Sequence, residues 1–164
     1  MKDEQAANLR ELLKSRSTAA LGTLHSGAPY VSMVPFALLP DGSAFVVHVS
    51  RLAAHTQDML ADPRVSLLVT GSEQANVSPL AVPRVTILGI ARQLSGDPPE
   101  YLAAREVYLA RFPDAAPIFN LGDFSLFVIS PTEVRWIAGF AQARSLTPAA
   151  FAKAVKDTQD DARS

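Results

Sequence analysis

Ser50 and Arg51, followed closely by His55 and Thr56, form the densest local group of side chains able to do chemistry. They fall where an apolar, β-branched run gives way to helical spacing, so the expected setting is a strand end followed by a helix start. The first N–H groups of a helix lack internal partners and carry partial positive charge, which draws anions and phosphate above all. Ser50 is a candidate cap for that helix. Arg51 in its first turn would oppose the helix dipole, a placement that makes sense beside a bound anion. An ordinary capped helix with a surface arginine and a half-buried His55 is the other reading of the same residues. Arg84 opens a later β-branched stretch, where a cation is either a ligand contact or a solvated edge residue. Arg135, Trp136 and Arg144 make a third group, in which the sole tryptophan either fills the core or walls a planar ligand.

Several other chemistries are missing. The chain has no cysteine, which removes disulfides, thiolate nucleophiles and zinc–thiolate sites together. Its three histidines, His25, His48 and His55, are too scattered for a histidine-rich metal site. No Gly-x-Gly-x-x-Gly, Walker-type lysine or Gly-x-Ser-x-Gly elbow occurs. Asp58 and Asp62 are expected to be solvated helix-face residues. Fifteen basic side chains against sixteen acidic ones give no field that would favour nucleic acid. The N-terminus is polar and no apolar run is long enough to span a bilayer, so neither a secretory leader nor a membrane anchor is expected. The expected location is the cytoplasm.

The elements that must position these residues follow from periodicity in a chain of 164 residues, 48% hydrophobic and sized for one domain. Leu9, Leu12, Leu13 and Arg16 follow helical spacing over residues 3–16. Strand candidates then run over Ser17–His25, Pro29–Leu39 and Ala44–Val49, joined by Ser26-Gly27 and by Pro40-Asp41-Gly42. Leu52–Ala61 reads as a helix, stopped at Asp62-Pro63. Arg64–Thr70 is a strand, Gly71–Pro83 a loop, and Arg84–Leu94 a long strand with a bend at Gly89. Pro98-Pro99 opens a helix with Tyr101, Tyr108 and Phe112 on one face. Phe124–Ile129 and Val134–Ala138 are two further strands, separated by Ser130–Glu133. Thr147-Pro148 has the form of a cap and first-turn proline for a last helix, Ala149 to about Lys156, ending in a charged tail. Strands do not alternate regularly with helices, so a mainly β, antiparallel barrel with peripheral helices is expected.

In combination these features resemble the FMN-binding split-barrel superfamily of pyridoxamine 5′-phosphate oxidase, and within it the branch of small haem-utilisation and CREG-like proteins. The stretches that carry the resemblance are Ala19–Leu39, Val47–Val69 with its Ser-Arg-Leu-Ala-x-His-Thr core, Arg84–Leu94 and Glu133–Arg144. The resemblance implies a six-stranded antiparallel Greek-key split barrel over residues 1–164, with an N-terminal helix at 1–16 and a C-terminal helix and tail at 147–164. It implies a homodimer whose FMN sites are shared between subunits. By position, Ser50, Arg51, His55 and Thr56 resemble the phosphate and ribityl site, with Arg84 as a second cation. Met33, Val34, Pro35 and Phe36, with Ser32 before them, match the strand along the flavin ring. Trp136, Gln142 and Arg144 match groups that complete the site, contributed by the partner subunit.

The implied function is that of an FMN-dependent oxidoreductase acting on a small molecule. Its alternatives are a haem-binding or haem-degrading protein and a non-catalytic, flavin-binding dimeric module. Two departures from the family pattern bear on this. Ser32 and Ala37 stand where the oxidase has Arg and Lys, and its C-terminal Arg-x-His-x-Arg motif is missing. Haem-degrading relatives use a histidine near the C-terminus and many carry a further domain there; this chain has no histidine after His55.

Overall fold

The structure is a computed structural model and describes residues 1–95 and 98–156. The tail expected beyond Lys156 lies outside the described residues. Eight strands and four helices occur among those residues, in the order α1 (Asp3–Ser15), β1 (Thr18–His25), β2 (Ala28–Pro35), β3 (Ala37–Leu38), β4 (Phe45–Ser50), α2 (Ala54–Ala61), β5 (Arg64–Thr70), β6 (Arg84–Gln93), α3 (Pro98–Arg111), β7 (Phe124–Ile137), β8 (Ala143–Leu146) and α4 (Pro148–Val155). All pairings are antiparallel, and the strand order is β2-β1-β5-β6-β7-β4-β3, with β8 on β7. Its two ends, β2 and β3, are separated in the chain by Phe36 alone. That short link folds the sheet round on itself as a split barrel. Six long strands form it, with β3 and β8 as short additions.

Local chemistry explains most boundaries. Ser26 and Gly27 both have positive φ, the requirement of a two-residue hairpin turn whose twist matches the flanking strands. The β1–β2 register follows, with His25 opposite Ala28 and Leu21 opposite Ser32. Thr147 accepts a hydrogen bond from Ala150 N–H and Pro148 occupies the first turn of α4, as its sequence anticipates. The bend expected at Gly89 is a register shift between Leu88 and Gly89.

One expectation fails at that shift. Ser130–Glu133 reads as a turn between two strands, but β7 runs unbroken from Phe124 to Ile137. Pro131 sits opposite Gly89 and Glu133 opposite Leu88, leaving Thr132 as the extra residue of a bulge. The Thr132 hydroxyl donates to the Leu88 carbonyl at 3.2 Å. A Cβ on Gly89 would come within 2.8 Å of the Ser130 carbonyl oxygen, so glycine is what lets the bulged strand approach.

β4 is buried on both faces and divides two cores. Phe45, Val47 and Val49 join the barrel interior with Leu9, Phe36, Leu67, Ile87, Trp136 and Phe151. Val46 faces the other way, with Leu126 and Val128, beneath Ala104 and Tyr108 of α3. Tyr101 and Phe112 flank that second core, the face expected of them. Each fully buried aliphatic or aromatic side chain contributes roughly 1.5–3 kcal/mol. Among the described residues, no helix is long and apolar enough to cross a membrane.

Candidate functional site

The strand-to-helix junction at Ser50 forms with a geometry other than the expected one. Helix α2 begins at Ala54, its N-cap is Ala53, and no side chain caps it. Ser50 instead accepts from Leu52 N–H at 3.2 Å, closing a small turn before the helix. Its carbonyl accepts from the fully buried Thr56 hydroxyl at 2.6 Å. Arg51 lies outside the first turn of α2, and its guanidinium donates to the Gly122 carbonyl. Two local hydrogen bonds therefore replace the cap that the residue types suggest, because three further residues intervene before helical geometry begins.

His55 is half-buried on α2, with Nδ1 3.0 Å from Ser32 Oγ on β2. Burial holds its pKa below the usual range, with the Asp58 charge acting in the opposite direction. Along β2 and just past its end the side chains alternate: Val34 and Phe36 enter the core, whereas Met33 faces outward. The stretch Met33–Phe36 therefore does not present one continuous wall to a ligand. Pro35 is half-buried between them.

The other expected residues gather elsewhere. Arg84, half-buried, donates to the carbonyls of Val82 and Leu80 at 3.0 and 3.4 Å. It pairs with Ile137 of β7, one register step from Val85 and Trp136. Trp136 is fully buried, and its Nε1 has no hydrogen-bond partner among the described residues. Arg144 is exposed on β8 opposite Trp136, and Gln142 is exposed in the intervening hairpin. Arg135 points to the opposite side and donates to Ser145 Oγ at 3.1 Å. Ser50 pairs with Phe124 at the start of β7, while Trp136 is near its end. Within one chain the two groups are thus separated along the longest strand.

Residue typing misses a third cluster. Asp58, expected on a solvated helix face, is buried. Its Oδ2 accepts from the Thr23 hydroxyl at 2.8 Å, and its Oδ1 lies 2.7 Å from His25 Nδ1. Burial pushes the Asp58 carboxyl up, but the Thr23 and His25 hydrogen bonds and the nearby imidazoles outweigh it, so the net direction is down. The period of two along β1, which puts Leu21, Thr23 and His25 on one face, is the signal that could have placed a polar group opposite them.

The described residues contain no group of three or more His, Cys, Asp or Glu able to hold a bare metal ion. His48 is also unfit as a ligand: it is buried between Tyr108, Phe119 and Phe124.

Residues 6–138 match the pyridoxamine 5′-phosphate oxidase family model. The chain is 36% identical over 150 residues to the chloroplastic non-canonical haem oxygenase HOZ of Arabidopsis thaliana, covering 86% of this chain and 44% of that protein. It is 27% identical over 137 residues to the haem oxygenase HutZ of Vibrio cholerae, covering 82% and 77% respectively. A haem-binding protein from Mycobacterium smegmatis superposes with a TM-score of 0.79 at 35% identity, over 91% of this chain and 60% of that one. The chain thus spans less than half of the plant relative.

These relatives overturn FMN as the expected cofactor, since each bears a name that assigns it haem. The geometry supplies a physical reason. The expected phosphate cradle lacks its Ser50 cap, and the strand meant for the flavin ring sends Val34, with Phe36 just after it, inward.

Proposed function

The chain belongs to the pyridoxamine 5′-phosphate oxidase family, and on that premise we propose that it binds haem and acts as a haem oxygenase. The observation that carries this reading is the 36% identity to a haem oxygenase across 86% of the chain. Haem is a flat apolar macrocycle with two carboxylates and an iron that accepts a nitrogen ligand. The side chains here suit such a molecule. Arg51, Arg84 and Arg144 are cations of the kind that pair with carboxylates. His55, Ser32 and Ser50 supply polar groups beside the first of them, and the buried Thr56 hydroxyl holds the Ser50 carbonyl in place. Haem iron, given a reductant and dioxygen, supplies the ring-opening chemistry; the protein's part is to hold and orient the macrocycle and limit its exposure to water.

The haem site is proposed to be completed by a second copy of the chain. Val31 and Met33 are 69% and 62% exposed on the outer face of β2. Leu68, Leu88 and Ile90 extend that apolar face across β5 and β6. Adjacent exposed apolar side chains on one sheet face mark an association surface. That pairing is proposed to bring the exposed Gln142 and Arg144 of one copy toward the Ser50–Thr56 group of the other, while Trp136, fully buried in its own core, takes no part.

The test is spectroscopic. Titrating the purified protein with haemin is expected to give a saturable Soret shift at one haem per chain. Reductant in air is then expected to bleach that band and yield a biliverdin-type product. No spectral change on titration removes the haem reading. Binding without consumption removes the oxygenase activity and leaves a haem-binding protein.

A further inference from the structure

We propose that the cavity between α1, β3 and α3 binds a free aliphatic carboxylate of the fatty-acid class, in a site separate from the one assigned to haem. Three observations carry it.

The first is the make-up of the cavity. It holds about 510 Å³, within the range of roughly 300–1,000 Å³ typical of small-molecule sites. Leu13 of α1, Leu38 and Leu39 at β3, Val107 of α3 and Val155 of α4 give it aliphatic walls. Arg10, Lys14 and Arg111 bring three cations to it. Among the described residues, no carboxylate and no aromatic ring lines it. An apolar space with cations and no acid calls for an anion with an apolar body. Walls without a ring face suit a flexible chain better than a flat macrocycle.

The second is the state of the two guanidiniums. Arg10 Nη1 donates to the Ala154 carbonyl at 2.6 Å. Arg111 lies 4.8 Å from the Phe36 ring centroid and donates through Nη2 to the carbonyls of Leu13, Lys14 and Arg16. All these acceptors are backbone oxygens, so neither arginine meets a carboxylate among the described residues. A guanidinium carries five N–H donors in one plane, which leaves donors on both arginines for a carboxylate held between them. Burial lowers the Arg111 pKa, a cost that an anion beside it offsets. Arg10 and Lys14 stand four residues apart on one face of α1, a like-charge spacing that a bound anion relieves.

The third is the polarity of the surroundings. An adjoining groove shares Leu39, Pro40, Val107 and Ala110 with the cavity and adds Asp41 and Glu106. Those acids repel an anionic head, so the head belongs with the arginines and the chain lies along Leu39 and Val107. The haem group is elsewhere: Leu38 pairs with Phe45 at the start of β4, whereas Ser50 stands at the end of that strand.

Sodium laurate is the probe, and dodecyltrimethylammonium is the control with the same chain and the opposite head. Calorimetric titration of the full chain is expected to show saturable uptake of one laurate per chain and none of the ammonium. Arg10→Gln keeps a donor for the Ala154 carbonyl and removes the charge. It is expected to weaken laurate roughly tenfold, the loss of one charge-assisted hydrogen bond. Ala110 is exposed on α3 and lines the cavity, so Ala110→Trp fills the space without entering the core and is expected to abolish laurate uptake. Both variants are expected to keep the wild-type haemin titration, and circular dichroism establishes that they are folded. A wild type that takes up laurate and no haemin supports this site and removes the haem reading. No laurate uptake, equal uptake of the two amphiphiles, or unchanged affinity in a folded Ala110→Trp overturns the proposal. Protein that binds anionic phospholipid vesicles and not laurate overturns it as well.

Discussion

The His48 ring lies parallel to that of Phe119, with centroids 3.8 Å apart and planes 6° from each other. Tyr108 and Phe124 complete the enclosure at 5.7 and 5.2 Å. The stack joins β4 to the 3-10 segment Pro113–Asn120 that follows α3. Burial pushes the His48 imidazole down to about 4. The unfolded ring titrates near 6.5, so between these values the unfolded chain binds more protons and stability rises with pH. The contribution is complete above pH 6.5 and is lost as pH falls toward 4. Urea unfolding is expected to show this loss, on the order of 2 kcal/mol, in the wild type and not in His48→Phe. Equal pH slopes for the two proteins would contradict it.

The turn before β4 is predicted to tolerate no side chain at position 42. Gly42 has φ of +73°, and a Cβ there would stand 2.6 Å from Val155 Cγ2 and 2.8 Å from Ala152 Cα. Gly42→Ala combines backbone strain with a collision against α4 and is expected to cost about 3 kcal/mol. Asp41→Ala, which loses only the exposed hydrogen bonds from Ser43, is the milder neighbour. If both variants melt together, the Gly42 contact with α4 is not what holds the turn.

Arg111 ties α3 to the end of α1. Its guanidinium donates to the Leu13 carbonyl at 3.0 Å and to that of Arg16, and lies 4.8 Å from the Phe36 ring centroid. Arg111→Met keeps the stem and loses the donors, leaving helix-terminal carbonyls without partners. The expected cost is about 2 kcal/mol by denaturant midpoint, with Arg111→Lys falling between. No change in midpoint for the methionine variant would mean that water serves those carbonyls equally well.

Association through the outer face of β2 is expected to be sensitive to one charge. Sedimentation of the wild type should give twice the chain mass of 17.5 kDa, and Met33→Asp should give the chain mass itself. Met33 is not part of the core, so the variant's melting curve should retain its cooperativity. A wild type that sediments as a single chain at micromolar concentration sinks the proposed pairing.

Features set by near neighbours were legible in the sequence. Ser26-Gly27 and Thr147-Pro148 carry their own turn and cap chemistry, and Leu9, Leu12 and Leu13 mark the buried face of α1. Features set by distant partners were not. Ser130–Glu133 has the composition of a turn, and only its pairing with Gly89 makes it a bulge. Ser50 has the chemistry of a cap, and only the position of α2 denies it that role. Asp58 reads as solvated until β1 brings Thr23 and His25 against it. The candidate site was legible as a set of residue types around His55; the buried carboxylate behind His25 required the sheet.

The unbroken β7 also sets an order of events during synthesis. β4, with Phe45 to Val49 buried on both faces, finds its long partner only in β7. Chains emerge at roughly 5–20 residues per second, so β4 waits seconds for that partner. In the interval the β1–β2 hairpin and the β5–β6 pair can form from contiguous sequence, while an apolar strand stands with an open edge. The nascent chain is therefore most vulnerable to wrong association just before residue 124 leaves the ribosome. A ribosome that stalls in the α3 region leaves the protein in its stickiest form.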